Sequence, residues 1–265
     1  MMVKINPAES ITKNILVAAE GVGGAVKMLK DVTALLFTKP DDANNIFKQM
    51  VRVGFNSLPI VLLSSLFTGM VLALQSGVAS TKVFDQAVFM GTLVSFSMVL
   101  ELGPVLTAIV IAGRVGASIT AEIGTMKVTE QLDALYTLGT TPERYLVVPL
   151  FIATMTMLPL ITLLGEITGI WGGYLVSIHY FDVPGSVYKN DILMHLKIMH
   201  FIHGLIKSGF FGFIIVTVSC YKGLTTSGGA EGVGRSTTQA VVISMLMILV
   251  FDYFLSTLLN AMGII

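Results

Sequence analysis

Between Arg52 and Lys82 the chain runs for 29 residues without a formal charge. A helix that crosses a bilayer needs roughly 20 mainly apolar residues. The centre of this run, Leu58 to Gln75, reads LPIVLLSSLFTGMVLALQ and meets that need. Four more runs share its character. Gln86 to Gly113 is interrupted only by Glu101, and Tyr145 to Val176 only by Glu166. The stretch from about Phe201 to Tyr221 holds Lys207, and the run from Ser236 to the C-terminus holds Asp252. Five spans are expected.

Composition agrees and excludes alternatives. Charged residues make up 12% of the 265, about half the roughly 25% of soluble domains. Hydrophobic residues make up 54%. That excludes a disordered chain and leaves too little polar surface to cover a soluble enzyme. A net charge of zero excludes a basic surface for nucleic acid. Cys220 is the single cysteine, so it has no intramolecular disulfide partner and says nothing of the redox compartment. Lys4, Glu9, Lys13 and Glu20 break up any apolar signal segment.

Lys and Arg near the span ends set the expected orientation. The N-terminal segment holds seven: Lys4, Lys13, Lys27, Lys30, Lys39, Lys48 and Arg52. The second loop has Arg114, Lys127 and Arg144, and the fourth has Lys222 and Arg235. The opposite loops have only Lys82 and Lys189, with Lys197 just before span four. The N-terminus is therefore expected in the cytoplasm and the C-terminus outside.

Residues 1–52 hold 12 of the 32 charges. On a helical wheel Ile11, Ile15, Ala18, Val22, Val26, Leu29 and Leu36 share one face, with Lys13, Glu20, Lys27 and Asp31 opposite. This pattern predicts an amphipathic helix in the membrane interface, weakened by Gly21, Gly23 and Gly24. The alternative is a soluble helical pair packed on a partner. Lys39-Pro40-Asp41-Asp42 ends the helix, and a second, Asn44 to Val53, leads into span one.

Glu101, Glu166, Lys207 and Asp252 lie inside spans. A charge at the bilayer centre costs about 2.5–3.5 kcal/mol or more, so such groups face a cavity or pair with each other. Lys207 pairing with Glu101 or Asp252 is open on these grounds, as a cavity group or a structural bridge. Glu166 is expected to snorkel. The densest polar stretch, Arg114 to Arg144, predicts a short amphipathic helix over 118–135, with Val128, Leu132 and Leu135 on one face and Glu122, Thr129, Glu130 and Asp133 elsewhere. It is either a docking element for a soluble partner or a helix covering the bundle end.

Other motifs carry less. Gly229 to Ser236, GAEGVGRS, nearly spells a phosphate-binding loop, but Arg replaces the Lys and no strand precedes it. A Gly-rich turn leading into span five fits better. His195, His200 and His203 cluster at the start of span four without further ligands at metal spacing, and read as interfacial. No nucleophile arrangement for catalysis is evident. Gly165 to Gly169 forms a GxxxG surface for close helix packing. The halves show no repeat of the kind many secondary transporters have.

The stretch ELGPVLTAIVIAGRVGASITAEIGTMKVTEQLDAL, Glu101 to Leu135, resembles the signature of the MlaE (YrbE) permease family. GMVLALQ (69–75), GIWGG (169–173) and GVGRSTTQAVV (232–242) agree with it, and the resemblance covers roughly residues 50–260. It implies an all-α integral membrane protein: an N-terminal interfacial amphipathic helix, five transmembrane helices and a cytoplasmic coupling helix. Residues 1–52 would be interfacial and elbow helices, and 53–265 the five-span permease domain. It implies a non-catalytic subunit of an ABC transporter in a bacterial inner membrane. This subunit would be a homodimer bound to ATPase subunits that hold ATP and Mg, and to a periplasmic ring of MCE-domain protein. The cargo would be phospholipid moved between inner and outer membranes, which maintains outer-membrane lipid asymmetry.

On this reading Leu66, Met70, Leu74, Gln75, Glu101, Lys207 and Asp252 line the lipid cavity. Glu122, Lys127, Glu130, Gln131 and Asp133 couple to the ATPase, with no metal or cofactor in the chain itself. Many relatives carry Arg before the Glu of ELGP, where this chain has Leu100. That makes Lys207 the expected partner of Glu101. The competing readings are an ion-coupled secondary transporter using Glu101, Lys207 and Asp252, and a scaffold that only anchors the ATPase and the ring.

Overall fold

In lipid every backbone N–H and C=O needs a partner within the protein, which leaves helices as the form for apolar runs of this length. The computed structural model describes residues 7–36, 43–84 and 89–263; these form helices joined by short turns, with no strand among them. Helices α1 (Pro7–Leu36) and α2 (Ala43–Val53) precede a short 3-10 turn, Phe55–Ser57, and α3 (Leu58–Phe84). Span two is assembled from α4 (Met90–Phe96), α5 (Gly103–Ile111) and α6 (Ala117–Val128), joined by π-helical segments at Ser97–Leu102 and Ala112–Gly116. A small helix α7 (Gln131–Thr137) and a π-helical segment Glu143–Val147 lead into α8 (Val148–His179). Then come α9 (Gly185–His195), α10 (Ile198–Leu224) and α11 (Gly229–Ala261). Among the described residues five helical stretches are long and apolar enough to cross a membrane: Ala43–Val83, Met90–Val128, Glu143–His179, Ile198–Leu224 and Gly229–Ala261.

Span α10 is the hub, packing against α8, α11, α5 and α6, while α3 lies along α8. Small residues explain the α3–α8 contact. Gly69 sits directly on the Gly169 carbonyl, where any Cβ would overlap it. Gly165 lies against Ser65, and Gly172 against the Leu66 carbonyl. Lipid gives no hydrophobic drive between helices, so such backbone-to-backbone approach supplies the packing. The larger core, with Ile111, Ile119, Leu158, Phe211 and Ile215, lies between α5, α6, α8 and α10. A smaller one, with Ala73, Met98, Val176 and Tyr188, closes the α9 end.

That end is tied by α9, in a stretch read from sequence as loop. The buried Tyr188 hydroxyl donates to the Ile170 carbonyl at 3.1 Å. Burial, and then nearby Asp191, pushes this phenol well above its ordinary pKa. Asp191 accepts from the Thr92 N–H (2.9 Å) and hydroxyl (2.7 Å), capping α4 from a hundred residues away. Helix α4 needs this because Phe89, at its N-cap position, makes no side-chain cap.

Helix α1 continues through Gly21, Gly23 and Gly24; Gly24 lies against Tyr221, whose ring fills the place of a side chain. Among its described side chains Met28 and Val32 are buried, whereas Val22 and Val26 point outward. Val22 and Val26 belong to the face expected to be apolar, and Met28 and Val32 meet the bundle beside it. Lys4 and the break at Lys39–Asp42 fall outside the described residues, as do the side chains of Ile11, Lys13, Ile15, Ala18 and Leu36. Helix α2 matches its expected extent within a residue.

Candidate functional site

The ELGP motif builds the main polar site. Pro104 has no N–H to give to the carbonyl of Leu100, four residues back. A π-helical segment over Ser97–Leu102 takes up the irregularity. The freed Leu100 carbonyl accepts a hydrogen bond from Lys207 Nζ at 2.9 Å. Lys207 is entirely buried and also donates to Glu101 Oε2 (2.7 Å) and Ser256 Oγ (2.9 Å). With its three N–H groups so directed, Lys207 Nζ also has Asp252 Oδ1 at 2.6 Å, so two carboxylates share the one amine. Ser256 Oγ lies 3.0 Å from Glu101 Oε1 and 2.9 Å from the Asp252 carbonyl.

The structure thus brings together three ionisable residues singled out from the sequence and adds two partners, Ser256 and the Leu100 carbonyl. Ser256 was legible only through its i+4 spacing from Asp252 on one helix. The cluster is not sealed: the Glu101 side chain is 47% exposed. Lys207 lies nine residues into α10, about 14 Å from that helix's start at 1.5 Å per residue. Beside the cluster α11 turns Val250, Tyr253, Phe254 and Leu258 outward. An accessible carboxylate therefore borders a wide apolar wall.

Along α3 the outward stripe is Ile60, Leu63, Phe67, Val71 and Val78, with Gln75 also exposed. Leu66, Met70 and Leu74 are half-buried; Leu66 lies against Gly172, and Met70 and Leu74 against the smaller core. Two grooves meet on this part of α3. One, of about 440 Å³, is lined by Leu74, Gln75, Val78, Ala79 and Lys82. The other, of about 490 Å³, reaches Val83, Phe89 and Leu93 and is almost wholly apolar.

Glu166 departs from expectation. Instead of snorkelling it is completely buried, and neither carboxylate oxygen has a hydrogen-bond partner among the described residues. Its place is a slot between α5 and α10 left by two glycines. A Cβ on Gly103 would come within 2.6 Å of Glu166 Cγ, and one on Gly204 within 2.7 Å of Oε1. The histidine expectation is also corrected for two residues: His200 and His203 are buried rather than interfacial. They lie on the inward face of α10, where His200 Nδ1 accepts from the Lys197 N–H at 3.0 Å and the ring leans on Phe96.

The polar stretch after span two is not one helix. Helix α6 continues the span to Val128; the chain breaks at Thr129 and Glu130 (φ 61°), and α7 follows. Leu132 anchors α7 in the core, with Leu135 packed beside it. Lys127 and Asp133 approach to 3.6 Å across the break, and Gln131 donates to Thr129 Oγ1 at 3.1 Å. Glu130, Gln131 and Asp133 are exposed, and Leu138 at the tip is 78% exposed. Tyr136 shares this tip, its phenol held above its ordinary pKa first by partial desolvation and then by the carboxylates of Glu143 and Asp133. Glu122 is engaged inside the chain by Arg52. The Gly229–Ser236 motif is not the expected turn but the first two turns of α11, and the turn lies just before it, with Gly228 and Gly229 at positive φ.

Comparison with known proteins matches residues 46–258 to a family model described as Permease MlaE. A probable ABC transporter permease protein of Rickettsia bellii is 44% identical over 255 residues, covering 96% of this chain and 98% of the relative. A similarly named protein of Synechocystis is 46% identical over 216 residues, 81% of each chain. A third, from the alga Pyropia yezoensis, is 41% identical over 216 residues, again 81% of each.

Proposed function

This chain belongs to the MlaE permease family, and from that premise we propose that it is the membrane subunit of an ABC transporter whose cargo is phospholipid, carried between the inner and outer membranes. The observation that carries the cargo reading is the half-exposed Glu101 carboxylate, held by buried Lys207 beside the outward apolar face of α11. A polar anchor on an apolar wall fits an amphipathic molecule better than an ion or a soluble metabolite. Two copies facing each other through α3 and α11 enclose the lipid. A periplasmic MCE-domain ring receives or delivers it at the α9 end, and ATPase subunits meet α7 at the opposite, cytoplasmic end. ATP and Mg belong to those partners. Movement follows when closure of the ATPases pushes on α7 and narrows the cavity, because a lipid shifts only as far as its affinity differs between the two states.

Purifying the assembled complex and identifying its lipid by mass spectrometry tests the cargo. Phospholipid enriched over the composition of the detergent shell is expected; its absence favours a scaffold. Transport that continues without the ATPase favours an ion-coupled carrier. Reversing the exposed charges of α7, Glu130→Lys with Asp133→Lys, is expected to abolish coupled ATP hydrolysis. Unchanged hydrolysis and binding would remove α7 from the coupling role.

A further inference from the structure

We infer that Arg52 is a positioning residue that pins α2 to the base of the coupling segment, so that a push on α7 reaches the lipid-facing span α3 through α2. The inference rests on the coupling role proposed for α7 and adds the route the push takes.

Helix α2 is fastened to both polypeptide segments that flank the 129–142 loop. On one side the Arg52 guanidinium holds the Glu122 carboxylate and, at 2.6 Å, Ser118 Oγ, one turn apart on α6. A planar fork with several donors suits two acceptors at once. On the other side Asn45 Nδ2 donates to the Tyr145 carbonyl at 3.3 Å. That carbonyl lies four residues before Pro149, which has no N–H to offer it. Two prolines therefore serve alike: Pro104 exposes a carbonyl for Lys207, and Pro149 exposes one for α2.

The junction from α2 into α3 is stiff. Gly54 is wedged between the Met50 carbonyl and Met157 of α8, with no room for a side chain. The buried Ser57 that follows accepts from Arg114 Nη1 at 2.5 Å. At the other end, α7 is joined to α6 by buried Leu132 and the Lys127–Asp133 approach. Each step of the path α7, α6, Arg52, α2, α3 is thus made by a named contact, and Arg52 is its one charged cross-connection between α6 and α2 among the described residues. A merely stabilising bridge at the surface predicts a lower melting temperature and nothing else.

The test uses the complete permease–ATPase complex in a Cys220→Ser background. One spin-label pair joins position 48 on α2 to position 189 on α9; a second joins position 125 on α6 to the same reference. Adding a non-hydrolysable ATP analogue is expected to shift both distances in the unmodified complex. In Arg52→Gln the α6 distance should still shift while the α2 distance stays put. Transport of a fluorescent phospholipid per ATP hydrolysed should fall about fivefold or more, the scale of a lost coupling between sites. The exchange Arg52→Glu with Glu122→Arg should restore co-movement. If both distances shift in Arg52→Gln as in the unmodified complex, the inference is overturned. Should that variant not assemble, the double change Ser118→Ala with Glu122→Ala, which removes both acceptors that Arg52 holds on α6, is judged by the same criterion. An unmodified complex whose labels shift without moving lipid refutes the cargo reading and leaves the route standing. Shifts that survive the α7 charge reversal refute the coupling reading.

Discussion

Lys207 shows how many partners one buried amine takes up inside a membrane protein. It has four oxygen partners, and one of them is a backbone carbonyl released by a proline. Removing the ammonium strands two carboxylates. Breaking a sealed buried pair costs about 3–5 kcal/mol, and because Glu101 is half open we expect Lys207→Met to cost about 2–3 kcal/mol. Thermal unfolding in detergent reads this loss, and the triple change Lys207→Met, Glu101→Gln, Asp252→Asn should recover most of it. Glu166 poses the opposite case, a buried carboxyl group with no partner among the described residues. Glu166→Gln keeps its shape and is expected to leave the melting temperature unchanged or higher. Gly204→Val invades the carboxyl's slot and should destabilise by about 1–3 kcal/mol, as overpacking does. A large loss in Glu166→Gln would mean that the acid has a partner of its own.

At the scale of elements, spacing and small residues decide which helices touch. The GxxxG reading of 165–169 selects a close neighbour without naming it; the structure names α3 through Gly69. Gly169→Leu is expected to separate α3 from α8, detected as loss of assembled permease on size-exclusion chromatography, whereas Gly234→Leu, where a side chain meets open space, should not. The polar stretch from Arg114 to Arg144 shows where periodicity falls short. Val128, Leu132 and Leu135 mark one face of a continuous wheel, yet the break at Thr129 and Glu130 places Val128 and Leu132 on different helices. Helix α9 went unseen because its anchors, Tyr188 and Asp191, act on residues far away in sequence.

For the whole molecule, the five-span architecture and family were legible in long charge-free runs and one extended motif. The orientation expected from loop charges is directly testable. Cys220 is buried and, once changed to Ser, leaves a clean background for single cysteines. A cysteine at position 138 should be shielded from an impermeant maleimide in intact spheroplasts, and one at position 189 labelled. The reverse pattern would invert the topology. The outward apolar faces of α3 and α11 are ordinary for lipid contact, so it is the polar cluster beside α11 that gives this face chemical character.

The sequence by itself determined where this protein resides and how often it crosses, because span formation depends on hydropathy summed over a local window with lipid as solvent. It also supplied the charged residues worth watching. Only the tertiary structure decided their partners. Within spans apolar all round, periodicity does not say which face looks inward. So Glu166 went to a slot made by two distant glycines, and Arg52 crossed 70 residues to Glu122. Glu101 met Ser256 across 155. Such pairings arise when whole helices dock, and a local stretch of sequence carries no trace of the helix that will lie beside it.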